Sequence, residues 1–157
     1  MKRIAFYPPP CVKEGWMRVR NEGDKITLSY KKVDRRTHKI SNQKEIELII
    51  DNFKNGCKFL EAMGAKQKAY QETKREIWHL NNCEITIDTW PGLKPVVEIE
   101  GKNEKSVKQT AEKLEFNWSK AIFDSIDYVY EQEVGIARKD IKTRPKLTFK
   151  NPPKARK

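Results

Sequence analysis

The segment from Glu84 to Gly101 alternates between polar and apolar residues in two successive runs. In an extended strand, successive side chains point to opposite faces of the sheet. Several carboxylates on one sheet face are costly unless cations neutralise them. The alternation therefore predicts paired strands with one apolar face and one charged face, and it requires cations nearby. The residues that share the polar face are Glu84, Thr86 and Asp88 in the first run, and Glu98 and Glu100 in the second.

Other segments show the same alternation and supply both signs of charge. Ile46 and Leu48 lie opposite two acids in one segment, and Leu28 and Tyr30 lie opposite Ser29 and a lysine in another. The sequence thus predicts several antiparallel strands of this kind. Their charged residues are Arg18, Arg20, Lys31, Glu45, Glu47, Lys74 and Arg75. Lys74 and Arg75 are adjacent, so they lie on opposite faces of one strand over 70–80.

Two interpretations of these charged faces are open. Antiparallel sheets often have one buried face and one solvated, charged face. Alternatively, a curved or closed sheet could turn its charged side inward, where Arg and Lys bind polyphosphate. Carboxylates in the same cavity would then hold a divalent cation that bridges the phosphates. Periodicity does not distinguish between the two.

Five segments, in this order, resemble the CYTH superfamily, the triphosphate tunnel metalloenzymes. This group includes class-IV adenylyl cyclases, thiamine triphosphatases and inorganic triphosphatases. The resemblance extends over roughly residues 3 to 135, and it depends on the order of motifs that are individually weak. The segments are GWMRVR at 15–20, TLSYK at 27–31, KEIEL at 44–48, YQETKREIW at 70–78, and IDTWPGL at 87–93 followed by VEIEG at 97–101.

The resemblance implies an α+β fold in which an antiparallel β tunnel or barrel encloses triphosphate and helices pack outside. It implies Mg²⁺ or Mn²⁺ as cofactor, and inorganic triphosphate, thiamine triphosphate or ATP as substrate. The reaction would be triphosphate hydrolysis or ATP cyclisation. The phosphate-binding residues that it implies are Arg18, Arg20, Lys31, Arg75 and Lys74, and the metal-side acids are Glu98, Glu100, Asp88, Glu45 and Glu47; Glu98 and Glu100 match the family's E-x-E best.

One departure from the family pattern affects catalysis. The family begins with an E-x-E-x-K strand, whereas Met1–Tyr7 resembles the family's second strand. The chain is therefore either a fragment or a natural form that has lost part of the site, and the catalytic residues stay unassigned. The alternative function is a catalytically impaired module that binds polyphosphate or nucleotides. An incomplete tunnel would also leave unpaired edges, which 146–150 or a second copy, as a homodimer, is expected to cover.

Length and charge favour one domain with a basic end. A chain of 157 residues can bury a sizeable core. The net charge of +11 is concentrated in 138–157, which has nine Lys or Arg residues and one acid. We therefore predict a CYTH-like domain over 1–137 and a basic, partly disordered tail over 138–157. Such a tail would bind nucleic acid only non-specifically.

The remaining signals concern location and secondary structure. The absence of a long apolar run or signal-peptide segment excludes a membrane partner. Three unevenly spaced cysteines indicate reduced thiols and a cytoplasmic location. Helices are predicted over 52–63, with Asp51 as N-cap, and over 104–115 and 123–130, with a polar loop over 35–41. Strands are predicted over 2–7, 15–20, 25–33, 44–50, 68–80, 83–89 and 95–100, with strand character at 146–150.

Overall fold

The structure is a computed structural model that describes residues 1–33 and 43–154, without the side chains of Val33, Gln43 and Lys44. The predicted loop over 35–41 lies outside the described residues. The strands are β1 Lys2–Tyr7, β2 Trp16–Asn21, β3 Ile26–Val33, β4 Gln43–Ile50, β5 Lys66–Glu72, β6 Lys74–Leu80, β7 Cys83–Thr89, β8 Val96–Glu100 and β9 Lys146–Leu147. The helices are α1 Phe53–Ala62, α2 Glu104–Lys113, α3 Ile126–Val134 and α4 Arg138–Lys142, with a 3-10 turn at Trp118–Lys120.

The strands form two sheets. The larger sheet has six strands in the order β4-β3-β2-β1-β5-β9, and the smaller has the order β6-β7-β8. All pairs are antiparallel except β5 with β9, which are parallel. No strand pair joins the two sheets within the described part of the chain, so the sheet system is an unclosed version of the predicted antiparallel tunnel.

The strand predicted over 68–80 divides at Thr73 into β5 and β6, which belong to different sheets. Thr73 is 4% exposed, and its N–H donates a hydrogen bond to the carbonyl of Met1 at 3.1 Å. This corrects the prediction of one continuous strand. Since the segment contains no Gly or Pro to signal a break, the division arises from tertiary pairing.

The helix boundaries differ from the predicted ones by a few residues. Asn52, not Asp51, caps α1, because its side chain accepts a hydrogen bond from the Asn55 N–H at 2.9 Å. The third predicted helix begins later and extends further, as Ile126–Val134, and ends at Gly135 in the left-handed conformation with φ of 70°.

Helices cover the apolar faces of both sheets. Helix α1 packs Cys57 and Leu60 against Phe6 and Val19 of the larger sheet. Helix α2 buries Val107 and Ala111 on the side of β7 and β8. The charged faces therefore lie on the sides of the sheets opposite α1 and α2. No helix in residues 1–33 and 43–154 is long and apolar enough to cross a bilayer.

A second core involves the C-terminal segment. Ile141 and Leu147 are 5% and 1% exposed and pack with Trp90 and Tyr130. The strand character predicted at 146–150 is confirmed for Lys146–Leu147, which pairs with β5. The domain boundary at 137 stays a prediction. Part of 138–154 packs here through its few apolar residues, which include Ile141 and Leu147. These residues stand between cations in the sequence, so the net charge of the segment gives no sign of them.

Candidate functional site

The register of the larger sheet places the predicted phosphate-binding residues on one face. Arg18 lies opposite Ser29 of β3, and Arg20 lies opposite Thr27. On the next strand, Glu47 lies opposite Ser29 and Glu45 lies opposite Lys31. Side chains directly opposite each other in a ladder share a face. The residues on this face are Arg18, Arg20, Thr27, Ser29, Lys31, Glu45 and Glu47.

These charges form a connected set of ion pairs. Glu45 forms an ion pair with Lys31 Nζ at 2.8 Å and accepts a hydrogen bond from Arg18 Nη2 at 3.3 Å. Glu47 lies 3.9 Å from Arg18 Nη2 and 3.8 Å from Arg20 Nη2. Burial lowers the pKa of the Arg18 guanidinium, as does Arg20, while Glu45 and Glu47 oppose this shift. The charged face of the larger sheet therefore holds cations and acids in one connected network.

Arg20 has an additional acidic partner that the sequence did not indicate. Glu22 is an inward-turned residue of the turn after β2, with 7% of its side chain exposed. It accepts from Arg20 Nε at 2.9 Å and from Thr27 Oγ1 at 3.4 Å. Glu22 was missed because it lies in a turn segment, where alternation carries no signal.

The smaller sheet has its own cation and acids. Arg75 donates from Nε to Asp88 Oδ1 at 2.6 Å and from Nη2 to Asp88 Oδ2, and Nη2 also lies 3.4 Å from Glu98 Oε2. The hydrogen bonds to Asp88 raise the pKa of Arg75. Burial raises the pKa of Glu98, helped by Asp88 and Glu100 and opposed by Arg75. Glu100 thus belongs to the same electrostatic group, although its side chain is exposed.

Arg3 connects the two charged faces. It lies opposite Arg20 on one side and Gln71 on the other, in the middle of the larger sheet. Its charge interacts with Arg18 and Arg20 of that sheet, and also with Asp88 and Arg75 of the smaller one. The charged groups of the two sheets therefore lie near one another around Arg3, and we refer to the region between them as the common space. Arg3 could not be predicted from the sequence because only the pairing of β1 with β2 places it beside Arg20.

Lys74 is the predicted phosphate-binding residue that the structure does not bring to this space. It precedes Arg75 on β6 and so points to the opposite face. Its Nζ lies 5.3 Å from the centroid of the Phe149 ring. The family-like spacing of a cation two residues before Arg75 would have put it on the same face, where Thr73 stands instead.

Two carboxylates, those of Glu98 and Glu100, are placed to bind a divalent cation, and they do not form a complete coordination shell. In the described residues, no three His, Cys, Asp or Glu side chains are arranged to hold a metal ion. Both Asp88 oxygens accept hydrogen bonds from Arg75. Glu98 and Glu100 lie two residues apart on one face of β8, and burial, together with the neighbouring acids, raises the pKa of Glu98. This pair fits Mg²⁺, which commonly uses one or two carboxylates together with substrate phosphates.

Buried hydroxyl groups also lie in the walls of this space. Ser29 Oγ on the larger sheet and Thr86 Oγ1 on the smaller have no hydrogen-bond partner among the described residues. Thr86 is opposite Glu98, and Ser29 is opposite Arg18. Since buried polar atoms are nearly always paired, these two groups suit a polar ligand in this region.

Comparison with known proteins identifies a family and similar folds. The sequence model of the CYTH domain matches residues 5–129. A conserved hypothetical protein of Pyrococcus furiosus is similar in structure, with a TM-score of 0.63, 19% identity, and coverage of 79% of this chain and 78% of that one. The PH1012 protein of Pyrococcus horikoshii OT3 has a TM-score of 0.60, 18% identity and the same coverages.

These structural neighbours establish the fold, since their sequence identity is too low to indicate a shared activity. No curated protein matches the chain. The family match is different in kind, because it extends over residues 5–129 and includes Arg18, Arg20, Arg75, Glu98 and Glu100. The chain belongs to the CYTH domain family.

Proposed function

We propose that this protein binds triphosphate-containing small molecules between the charged faces of its two sheets, together with Mg²⁺ or Mn²⁺. The observation that supports this most directly is the convergence of cations from both sheets on one space. Arg18 and Arg20 are each only 11% exposed, and Arg75 is 15% exposed. Largely buried guanidinium groups that converge in this way suit an anion with several negative charges.

In this proposal the cations divide the work by position. Arg18, Arg20 and Lys31 bind phosphate oxygens from the larger sheet, and Arg75 binds from the smaller one. Asp88 is a positioning residue, because its two hydrogen bonds to Arg75 fix the plane of the guanidinium. Glu98 and Glu100 hold the metal ion, which supplies charge neutralisation to the phosphates. Binding of the anion requires Arg18 and Lys31 to exchange Glu45 for phosphate oxygens.

Two reactions would follow from such binding. A hydrolase admits water as the nucleophile, and a cyclase presents the ribose 3′-hydroxyl of ATP. In both, cations around the transferring group stabilise the charge that develops on it. The three cysteines are free thiols, which fits the proposed cytoplasmic location.

A second candidate function is binding without turnover. Ion pairing of the acids favours this function. Both oxygens of Asp88 accept hydrogen bonds from Arg75, and Glu45 pairs with both Lys31 and Arg18. These acids act as counter-ions to the cations. Under this alternative, triphosphate binds with measurable affinity and leaves unchanged.

The experiment is titration calorimetry with inorganic triphosphate at low salt, with and without Mg²⁺, followed by turnover assays. The assays use inorganic triphosphate, thiamine triphosphate and ATP, each with Mg²⁺ or Mn²⁺, and detect phosphate, pyrophosphate and cyclic AMP. We expect binding by the wild-type protein and an affinity about tenfold or more lower in Arg18→Ala, which loses charge-assisted hydrogen bonds.

The matched control is Lys58→Ala, which removes one cation from the exposed side of α1. It should bind triphosphate within about twofold of the wild type, since an exposed charge remote from the site has little effect. Binding without product formation favours the second candidate. No heat of binding to triphosphate under any condition contradicts both functions.

A further inference from the structure

Arg3 occupies the centre of the larger sheet and is held by neutral groups. Strand β1 lies between β2 and β5, and Arg3 faces Arg20 and Gln71 across these pairs. Its Nε donates to Gln71 Oε1 at 2.8 Å. Its guanidinium carbon lies 4.3 Å from the centroid of the Trp90 ring, and Trp90 is 4% exposed. Stacking and the single hydrogen bond therefore fix the guanidinium between the sheets.

Among the described residues, Arg3 has no carboxylate in direct contact, whereas its neighbouring cations do. Arg18, Arg20, Lys31 and Arg75 each lie within 4 Å of a carboxylate. Over residues 1–33 and 43–154, no carboxylate lies that close to Arg3, and neither terminal nitrogen donates to a protein acceptor. An arginine keeps its charge in proteins, so this position carries an uncompensated cation.

The pKa of Arg3 also indicates that its charge is poorly compensated. Burial, together with the charges of Arg18 and Arg20, lowers the pKa of Arg3 to about 9, and Asp88 opposes this shift. A lowered pKa means that the surroundings disfavour the charged form. An anion placed against the terminal nitrogens would relieve this cost, and the fork of the guanidinium matches two phosphate oxygens.

We propose that Arg3 is a direct polyphosphate contact that bridges the cations of the larger sheet to Arg75 of the smaller sheet. This inference rests on the proposed function and adds a residue to its site. Because the charge of Arg3 interacts with Arg20 of the larger sheet and with Asp88 and Arg75 of the smaller one, we place it against the part of the anion that spans both. A single phosphate does not need to span them, so the loss of Arg3 affects triphosphate more than orthophosphate.

The test compares Arg3→Gln, Arg3→Lys and Lys58→Gln by calorimetry with inorganic triphosphate and with orthophosphate. We expect Arg3→Gln to lower triphosphate affinity about tenfold or more, and Lys58→Gln to stay within about twofold of wild type. Arg3→Lys keeps the charge and loses the fork, so its affinity should lie between the two. The dependence of affinity on salt should also be shallower in Arg3→Gln, since one ionic contact is gone.

A purely structural role for Arg3 predicts a different pattern. It predicts a ligand-free melting temperature of Arg3→Gln below that of the wild type. A contact with the ligand instead predicts a ligand-free melting temperature equal to or above that of the wild type and a smaller stabilisation by triphosphate. Wild-type affinity in a folded Arg3→Gln overturns the inference alone. If Arg3→Gln does not fold, wild-type affinity of Arg3→Lys for triphosphate overturns the proposed contact of the Arg3 guanidinium with two phosphate oxygens. Absence of binding by the wild-type protein overturns the proposed function and this inference together.

Discussion

Arg75 and Asp88 face each other across β6 and β7, and the guanidinium donates two hydrogen bonds to the two oxygens of the carboxylate. Asp88 is 3% exposed, whereas Arg75 retains 15% of its surface. Both carboxylate oxygens are thus occupied by hydrogen bonds from the arginine, and the arginine keeps one edge exposed toward the common space. The same arrangement stabilises the sheet and orients a cation.

Asp88→Asn tests the stabilising part of this relationship. The substitution leaves Arg75 with a partly buried charge and turns one acceptor into a donor, so we expect a loss of about 2 to 3 kcal/mol of unfolding free energy. Urea denaturation at pH 7 measures it. The control is Glu112→Gln, which breaks the exposed Lys108–Glu112 pair at 3.9 Å and should change stability by less than about 0.5 kcal/mol. Equal losses in the two variants would contradict the prediction.

Glu45→Gln distinguishes a counter-ion from a metal ligand. Glu45 contacts Lys31 at 2.8 Å and Arg18 at 3.3 Å, so it competes with an anion for both cations. We expect the variant to bind metal-free triphosphate about three- to tenfold more tightly, since a competing charge is removed. Calorimetry in EDTA measures this, with Glu133→Gln on the exposed side of α3 as control. Weaker binding in EDTA, or an effect as large in Glu133→Gln, would refute the counter-ion role.

Leu147→Ala tests whether the C-terminal strand belongs to the core. Leu147 is 1% exposed and packs near Trp90 and Tyr130. Truncation of such a residue costs about 2 to 4 kcal/mol through lost burial and the cavity left behind. Lys146→Ala, at the exposed neighbouring position, should cost less than about 0.5 kcal/mol. Urea denaturation compares them, and similar costs would show that the segment is peripheral.

The same packing affects any assay for nucleic-acid binding through 138–157. Deleting the whole segment would remove Ile141 and Leu147 from the core and would confuse unfolding with lost contacts. Neutralising exposed cations such as Lys139 and Lys150 keeps the fold and removes charge. This design separates electrostatic binding from stability.

Asp127 gives the protein a stability term that depends on pH. Asp127 is 5% exposed, and although burial acts to raise the pKa of its carboxyl, hydrogen bonds from Ser125, Arg138 and Lys142 outweigh this effect and lower the pKa below the ordinary 3.8. A carboxyl whose pKa is lower in the folded state stabilises fully above its unfolded pKa, and the stabilisation is lost as pH falls through the folded pKa.

We therefore expect Asp127→Asn to be less stable than wild type at pH 7, and the difference to narrow progressively below about pH 4. Urea denaturation across this range measures the difference. Asp24→Asn, in an exposed turn, should show no comparable trend. A gap between wild type and Asp127→Asn that stays constant down to pH 2 would contradict the assignment.

The three thiols should differ sharply in reactivity. Cys11 is exposed, and Cys57 and Cys83 are buried. Burial, with Glu61, raises the pKa of Cys57 to about 11, so its thiolate fraction at pH 8 is on the order of a thousandth. A disulfide reagent at pH 8 should modify one thiol per native chain rapidly and all three after denaturation. Cys11→Ser should abolish the fast phase, and persistence of that phase would contradict the prediction.

Much of the site could be predicted because it depends on alternation within single strands. Arg18 and Arg20, or Glu98 and Glu100, share a face in any extended conformation. The resemblance to the CYTH family added the inward direction of those faces, which periodicity left open. The register places Arg18, Glu45 and Lys31 together on one face.

The parts that could not be predicted depend on contacts between distant segments. Arg3 joins the group only because β1 pairs with β2 and β5. Thr73 separates two strands although its own sequence neighbourhood favours extension throughout. Ile141 and Leu147 enter the core from a segment whose composition is dominated by cations. In each case the decisive partner lies far along the chain.

The parallel pairing of β5 with β9 has a consequence for biosynthesis. Tyr70 pairs with Lys146, 76 positions further along the chain. At ribosomal rates of about 5 to 20 residues per second, this edge of β5 waits roughly 4 to 15 seconds for its partner. During that interval its backbone amides can recruit foreign strands. Newborn chains consequently pass through a window in which chaperone protection matters most.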